Sequence, residues 1–387
     1  MDFFTSPDFW FLIGTSLAKT IFLIFLVVLP MVSYTVYAER RVSALIQDRV
    51  GPNRTGFPVS LLGLKKDWSP FLGGLGQPVA DAVKFLLKED FVPGHVNKLY
   101  FWLAPTLAMM PAIITLAAIP FGSTIMGVPM VVADINVGLL FMFAISSVSV
   151  YGIVLAGWSS NSKYPFLGGI RSTSQMISYE LGMGLSAVPV ILIASSTSLP
   201  GIVNYQVSEG WLLLPFTNGN LSLREILLWI PVLIAFVTFT ICMFAETNRL
   251  PFDLPESETE LVAGYHTEYS SMKFALFFLG EYTAMIAGSA LIVVLFLGGY
   301  DVPLIPNGDG KGGLSFLQEM IPGTVWGIVN ITTFFAKVAL ILVFFIWVRW
   351  TLPRFRYDQL MKLGWFYIFE IALVNIFLTA GILAFTH

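Results

Sequence analysis

Long apolar runs, separated by shorter polar and charged stretches, set the layout of this chain. Eight runs reach the roughly 20 residues a helix needs to cross a bilayer. They cover about 10–37, 99–121, 134–157, 173–197, 226–246, 273–298, 324–348 and 362–384. Pro189 and Pro231 fall inside two of them and predict local bends. The first run has no basic stretch before it and is too long for a signal core, so it reads as a retained span. A different pattern occupies 77–89. There Pro78 suits a first helical turn. Val79, Val83, Leu86 and Leu87 then share one face, and Lys84 and Lys88 share another. Such a helix lies on a membrane rather than across it.

The expected fold class is therefore all-α: a polytopic integral membrane protein with eight transmembrane helices and a short amphipathic interfacial helix. It reads as a single transmembrane domain over 1–387. A loop at 38–98 carries the interfacial helix, and a second, acidic loop spans 247–272. Composition agrees: the chain is 12% charged, about half the share found in soluble proteins.

An even number of spans puts both termini on one side. The loops near 38–98, 158–172, 247–272 and 349–361, with their helix ends, lie on the other. They hold all but four of the 21 lysines and arginines. Arg224 and Lys311 belong to the opposite side, and Lys19 and Lys337 fall inside spans. This imbalance places the basic loops in the cytoplasm and both termini outward. The expected location is a bacterial cell inner membrane, or an equivalent energy-conserving membrane. The outward stretches 198–222 and 299–322 are rich in Gly, Pro, Ser and Asn, and residues 308–313 read as a flexible turn.

Several cofactor classes drop out. The single cysteine, Cys242, and three scattered histidines do not supply an iron–sulfur cluster, a haem or a zinc cage from this chain alone. No dinucleotide or P-loop pattern precedes a helix. No catalytic or metal-binding residue is expected to act within this chain by itself, and no nucleic acid is an expected partner. Electron carriers, if the protein serves redox chemistry, belong to other subunits.

The unusual residues are carboxylates. Glu180, Glu246, Glu281 and Glu370 lie in or against apolar runs, where ionisable groups are costly. Asp253, Glu256, Glu258, Glu260 and Glu268 crowd the loop between two spans. Like charges so close titrate as a set. Glu180 lies about two turns into its span, roughly 12 Å along the axis. For each, a structural hydrogen bond or a solvated face competes with a proton-relay role; Tyr282, beside Glu281, could join a polar interior path. Arg40 and Arg41 close the first span and suit headgroup anchoring, while the turn at 51–56 can fix an arginine in place. Asp81, near the start of the interfacial helix, suits either a cap or a binding role. Lys337, mid-span, is expected to pair with a buried carboxylate, and Asp134 to mark a boundary or cap.

Five segments carry a resemblance: AERRVSALIQDRVGPNRTG at 38–56, QPVADAVKFLLKE at 77–89, GWSSNSKYPFLGGIRSTSQMISYE at 157–180, FAETNRLPFDLPESETELVAGYHTEYSSMKFALFFLGEY at 244–282 and WVRWTLPRFRYDQLMKLGW at 347–365. In this order they resemble the membrane subunits of respiratory complex I at the junction with the peripheral arm, lettered H in bacteria and numbered 1 in mitochondria. The resemblance covers nearly the whole chain. It implies a subunit of a proton-translocating NADH:quinone oxidoreductase that is not catalytic alone. Quinone would be the substrate, and FMN and iron–sulfur clusters would sit in partner subunits. It implies quinone-chamber positions at Glu39, Arg40, Arg49, Asp81, Arg171, Arg249 and Asp253. It implies proton-coupling positions at Glu180, Glu246, Glu256, Glu258, Glu260 and Glu281. Partners would include the peripheral quinone-site and terminal iron–sulfur subunits, adjacent small membrane subunits and phospholipid. Two departures stand out, an extended segment near 63–75 and another near 299–320.

Other classes remain at this point. A standalone ion-coupled transporter would also bury charge, yet no internal repeat is obvious. The membrane subunit of a related hydrogenase shares much of the pattern. A purely structural adaptor would have no use for Glu180 and Glu281 deep in their spans.

Overall fold

The computed structural model describes residues 7–53, 55, 74–215, 223–253, 263–302 and 322–386. The chain opens with α1 (Pro7–Ile21), which runs through a π-helical stretch (Phe22–Val28) into α2 (Leu29–Ile46). Then follow α3 (Gln77–Leu87), α4 (Lys98–Thr115), α5 (Gly138–Ser159), α6 (Lys163–Ala194), α7 (Leu199–Glu209) and α8 (Leu223–Glu246). The last elements are α9 (Ser271–Phe296), α10 (Gly323–Thr351), α11 (Tyr357–Lys362), a second π-helical stretch (Leu363–Ile368) and α12 (Phe369–Thr386). Among the described residues, eight helical stretches are long and apolar enough to cross a membrane, as the apolar runs predict.

The bundle is organised around α9. Of its most apolar stretch, 78% is enclosed, against 22% for the first and last spans. It packs on α4, α8 and α10, while α4, α5, α6 and α8 follow one another side by side. Small residues let the backbones close in. A Cβ added at Gly152 would run into the α4 backbone at Leu107 and Ala108, and one at Gly157 into Pro165. α3 lies outside the bundle with no buried residue. Val79, Val83, Leu86 and Leu87 are all exposed, the bare apolar face of an interfacial helix. Ser271, at the start of α9, ties it down by donating its hydroxyl to the Phe85 and Lys88 carbonyls at 2.9 and 3.0 Å. Lys273 holds the following loop through both oxygens of Asp90, each at 2.9 Å.

The structure corrects several boundaries. α6 begins at Lys163, so most of the loop expected at 158–172 is helix. Arg40, Arg41 and Arg349 likewise lie on helices, in α2 and α10. Hydropathy marks the hydrocarbon-crossing length, whereas backbone hydrogen bonding continues through polar Ser, Thr and Gly into the headgroup zone. Glu180 is accordingly about 25 Å along its helix at 1.5 Å per residue, because the helix starts about ten residues before the apolar run. The third span starts at Gly138 with no side-chain cap, so Asp134 marks the approach to it but does not cap it. The stretch at 198–222 contains α7, where Pro200 sits in the first turn and Leu199, Ile202 and Val203 are buried. A two-residue hairpin pairs Thr124–Ile125 with Val128–Pro129. The turn at 308–313 and most of the two extended segments lie outside the described residues.

Among the described residues Lys337 makes no direct ion pair with a carboxylate, although the buried Asp301 carboxylate lies within electrostatic range of it. Its ammonium donates to the carbonyls of Leu297, Gly299 and Asp301 at 2.7, 3.0 and 2.6 Å. It also sits over the Trp211 ring, 3.8 Å from its centroid. The end of α9 leaves free carbonyls, and a mid-span lysine reaches them.

Candidate functional site: a buried ion cluster beside a cavity

A charged cluster forms where the basic ends of the helices converge. Glu39, on α2, is only 6% exposed. Its carboxylate accepts hydrogen bonds from the Tyr282 hydroxyl of α9 and the Arg349 guanidinium of α10. Arg249, three residues past α8, stands 3.8 Å from Glu39 and 3.8 Å from Glu281. Its guanidinium lies over the Tyr282 ring, 4.2 Å from the centroid. The Tyr265 hydroxyl donates to Glu281 at 3.1 Å. Two carboxylates and two guanidiniums thus balance in a buried space, the condition under which such charges persist.

The turn that delivers Arg249 is held from α6. Gln175, fully buried, donates to the Ala245 and Phe252 carbonyls at 2.8 and 2.9 Å and to the Asn248 side chain at 3.2 Å. Ser172 donates to the same Asn248 oxygen at 3.4 Å. The polar run before Glu180 therefore clamps the start of the acidic loop.

A cavity of about 90 Å³ opens beside the cluster, lined by residues of α4, α5, α6, α8 and α9. Glu281 belongs to both the cluster and the cavity wall, and Glu246 lines the same wall. Ser146, Ser149, Thr247 and Asn248 add polar groups, and Met142, Met176, Met183 and Met243 add apolar ones. Oε2 of Glu246 is buried with no hydrogen-bond partner among the described residues. Glu180 lies within electrostatic range of Glu246. A buried carboxylate oxygen without a protein partner calls for water or a proton. The cavity has room for a few waters by volume.

Nearer the surface, the Arg40 guanidinium meets Asp81 of α3 at 2.8 Å. Gln77 donates to the other Asp81 oxygen at 2.8 Å and accepts from Thr55 at 2.8 Å. Asp81 joins α3 to α2 instead of capping its own helix. Arg49 donates to Gln47 at 2.6 Å and to Ser43 at 3.4 Å. Arg171 lies over the Tyr357 ring at 5.2 Å. Asp253 pairs with Arg354 at 3.4 Å.

Of the residues singled out in the sequence, Glu39, Arg249 and Glu281 meet directly, and Glu246 joins them across the cavity. Arg40 and Asp81 form a separate pair. Arg49, Arg171 and Asp253 each find other neighbours. Glu256, Glu258 and Glu260 lie outside the described residues. Sequence reasoning passes over Arg349, Tyr265 and Gln175 as site residues. Arg349 ends an apolar span and informs topology alone. Tyr265 and Gln175 carry no charge, and no periodic pattern marks them.

The sequence profile of the NADH dehydrogenase family matches residues 19–380. An H-type NADH-quinone oxidoreductase subunit of Geobacter metallireducens is 48% identical over 377 residues, covering 96% of this chain and 97% of the relative. The corresponding protein of Cytophaga hutchinsonii is 44% identical, covering 94% and 96%. That of Rickettsia prowazekii is 47% identical, covering 92% and 90%.

Proposed function

This chain belongs to the NADH dehydrogenase family and is a multi-pass membrane subunit of an NADH–quinone oxidoreductase, and from that premise we propose that it walls part of the quinone chamber and couples quinone reduction to proton movement. The observation that carries the proposal is the shared position of Glu281. One carboxylate touches both the ion cluster and the cavity that takes Glu246.

In this reading the exposed Arg40–Asp81 pair and the apolar face of α3 border the passage for the isoprenoid tail. Negative charge developing on quinone is felt by Arg249 and Arg349, whose hold on Glu39 and Glu281 then changes. A freed or protonated Glu281 alters the hydration and protonation of the cavity. Glu246 and Glu180 carry the change onward to neighbouring pump subunits. The electrons arrive from FMN and iron–sulfur clusters held by partner subunits. The peripheral quinone-site and terminal iron–sulfur subunits dock on the charged loops, small membrane subunits adjoin the bundle, and Glu256, Glu258 and Glu260 are assigned to proton coupling. The membrane is the bacterial inner membrane, or its equivalent, with both termini outward.

The test is Glu281→Gln in the assembled enzyme, read by NADH:quinone turnover and proton pumping. The carboxamide keeps shape and the Tyr265 contact but cannot exchange a proton. Coupled turnover per assembled enzyme is expected to fall about tenfold, corresponding to about 1.4 kcal/mol in the barrier, a larger effect than the loss of assembly, since Arg249 keeps Glu39 as an anion. Wild-type turnover and pumping in a fully assembled variant would refute the coupling role.

A further inference from the structure

A groove at the far end of the bundle, away from the ion cluster, carries charges of both signs. It measures about 240 Å³ and lies between α7 and the start of α8. Tyr205 and Glu209 line it from α7, Trp211 from the segment that follows, and Arg224, Glu225 and Trp229 from α8. Burial raises the pKa of the Tyr205 phenol most; Arg224 lowers it, and Glu209 and Glu225 raise it further. All three charges are therefore felt at one hydroxyl. None of these residues belongs to the site above.

Below the groove, α8 turns an apolar edge outward. Ile226, Ile230, Leu233 and Val237 are all exposed. Their spacing puts them on one helix face, running about 16 Å along the axis. Half of a hydrocarbon core roughly 30 Å thick is nearly the same length. Trp229 stands between groove and edge. It is exposed, and its indole N–H donates to the Leu213 carbonyl at 3.0 Å, which sets the ring's orientation. A headgroup pocket thus adjoins, across Trp229, an apolar edge about one leaflet long.

We propose that this groove binds the headgroup of phosphatidylethanolamine, a zwitterionic glycerophospholipid with a primary ammonium, and that an acyl chain follows the exposed edge of α8. Arg224 takes the phosphate, for which a planar guanidinium is well matched. Glu209 takes the ammonium. Charge selects among lipids. Arg224 and Glu209 together match a zwitterion, and an anionic headgroup would bring no cation to Glu209. Ethanolamine brings its own cation. Choline has no N–H to give a carboxylate. The inference is independent of the quinone reading, because neither the groove nor its lipid touches the ion cluster.

The experiment uses the intact enzyme, purified through a tag on this chain and placed in lipid nanodiscs containing a photoactivatable phosphatidylethanolamine. Cross-linked peptides are mapped with unlabelled phosphatidylethanolamine, phosphatidylcholine or phosphatidylglycerol as competitor. Labelling is expected within 205–215 and 224–237, displaced by phosphatidylethanolamine well before the other two. Arg224→Glu and Glu209→Gln should each lower that labelling about tenfold, the effect of losing one charge-assisted contact. Labelling elsewhere and turnover should stay unchanged. If Arg224→Glu impairs assembly, the milder Glu209→Gln carries the test. Equal competition by phosphatidylglycerol or phosphatidylcholine would overturn the proposal. So would labelling unaffected in the assembled variants, or a neighbouring subunit cross-linked in the groove instead of lipid.

Discussion

The two halves of α9 handle buried charge in opposite ways. On its first half, two carboxylates and two guanidiniums share one space, and Glu39 serves Tyr282, Arg349 and Arg249 together. Just past its end, the ammonium of Lys337 is satisfied by three backbone carbonyls and the face of Trp211, whose own N–H is held by Asp301 at 2.8 Å. Carbonyl dipoles do not titrate and cannot leave. They make a fixed clasp between α9 and α10. A carboxylate shared by two cations can be released by a proton or by a competing negative charge. The difference shows where this bundle is built to hold and where it is built to respond.

The sharpest way to break that contrast is Glu39→Gln. It leaves the buried Arg249 and the partly exposed Arg349 without their common anion, a loss of about 3 kcal/mol, the lower end of the range for breaking a buried pair. Little assembled enzyme is expected on native gels, and adding Arg349→Met should restore part of it. Normal assembly of the single variant would mean that the cluster does not hold α2 to α10. Lys337→Met comes next. Losing a charged donor to several carbonyls should cost about 2–3 kcal/mol, seen as thermal inactivation at lower temperature. Turnover per flavin should be unchanged, and a selective turnover defect would move chemistry to the clasp.

Glu246→Gln sharpens the comparison from the cavity side. The change removes a titrating group and little volume, so assembly should be normal while pumping falls about tenfold. Pumping at the wild-type level would put the proton route elsewhere. The smallest effect belongs to Arg40→Ala. Its partner Asp81 is partly solvated, so stability should change by less than about 1 kcal/mol. A shift of the apparent quinone affinity by about threefold, about 0.7 kcal/mol, is the expected readout, and identical kinetics would remove Arg40 from the passage.

Much of this is legible in the chain. Apolar length predicts eight spans, and the period of Val79, Val83, Leu86 and Leu87 predicts the interfacial helix. Depth in an apolar run flags Glu281, and position at a span end flags Glu246. The partners of these residues are hidden. Arg349 is far from Glu39 in sequence, and only the packing of α2, α9 and α10 brings them together. Lys337 is legible only in part: a lysine in an apolar run suggests a carboxylate, and Asp301 lies in electrostatic range, but the carbonyls its ammonium bonds directly leave no mark in side-chain sequence. α7 escapes notice because its polar surroundings outweigh the three apolar residues it buries.

What can be read along the chain is what depends on neighbours in sequence. Burying backbone groups in hydrocarbon forces helices wherever apolar runs are long enough, and that rule needs no knowledge of the fold. Which buried charge meets which is a different matter. Electrostatic and hydrogen-bond energies depend on distances of a few ångströms between residues tens to hundreds apart in sequence. Only the packing of the bundle around α9 settles them, setting Glu39 between two arginines, Glu281 against the cavity and Lys337 on a ring of carbonyls.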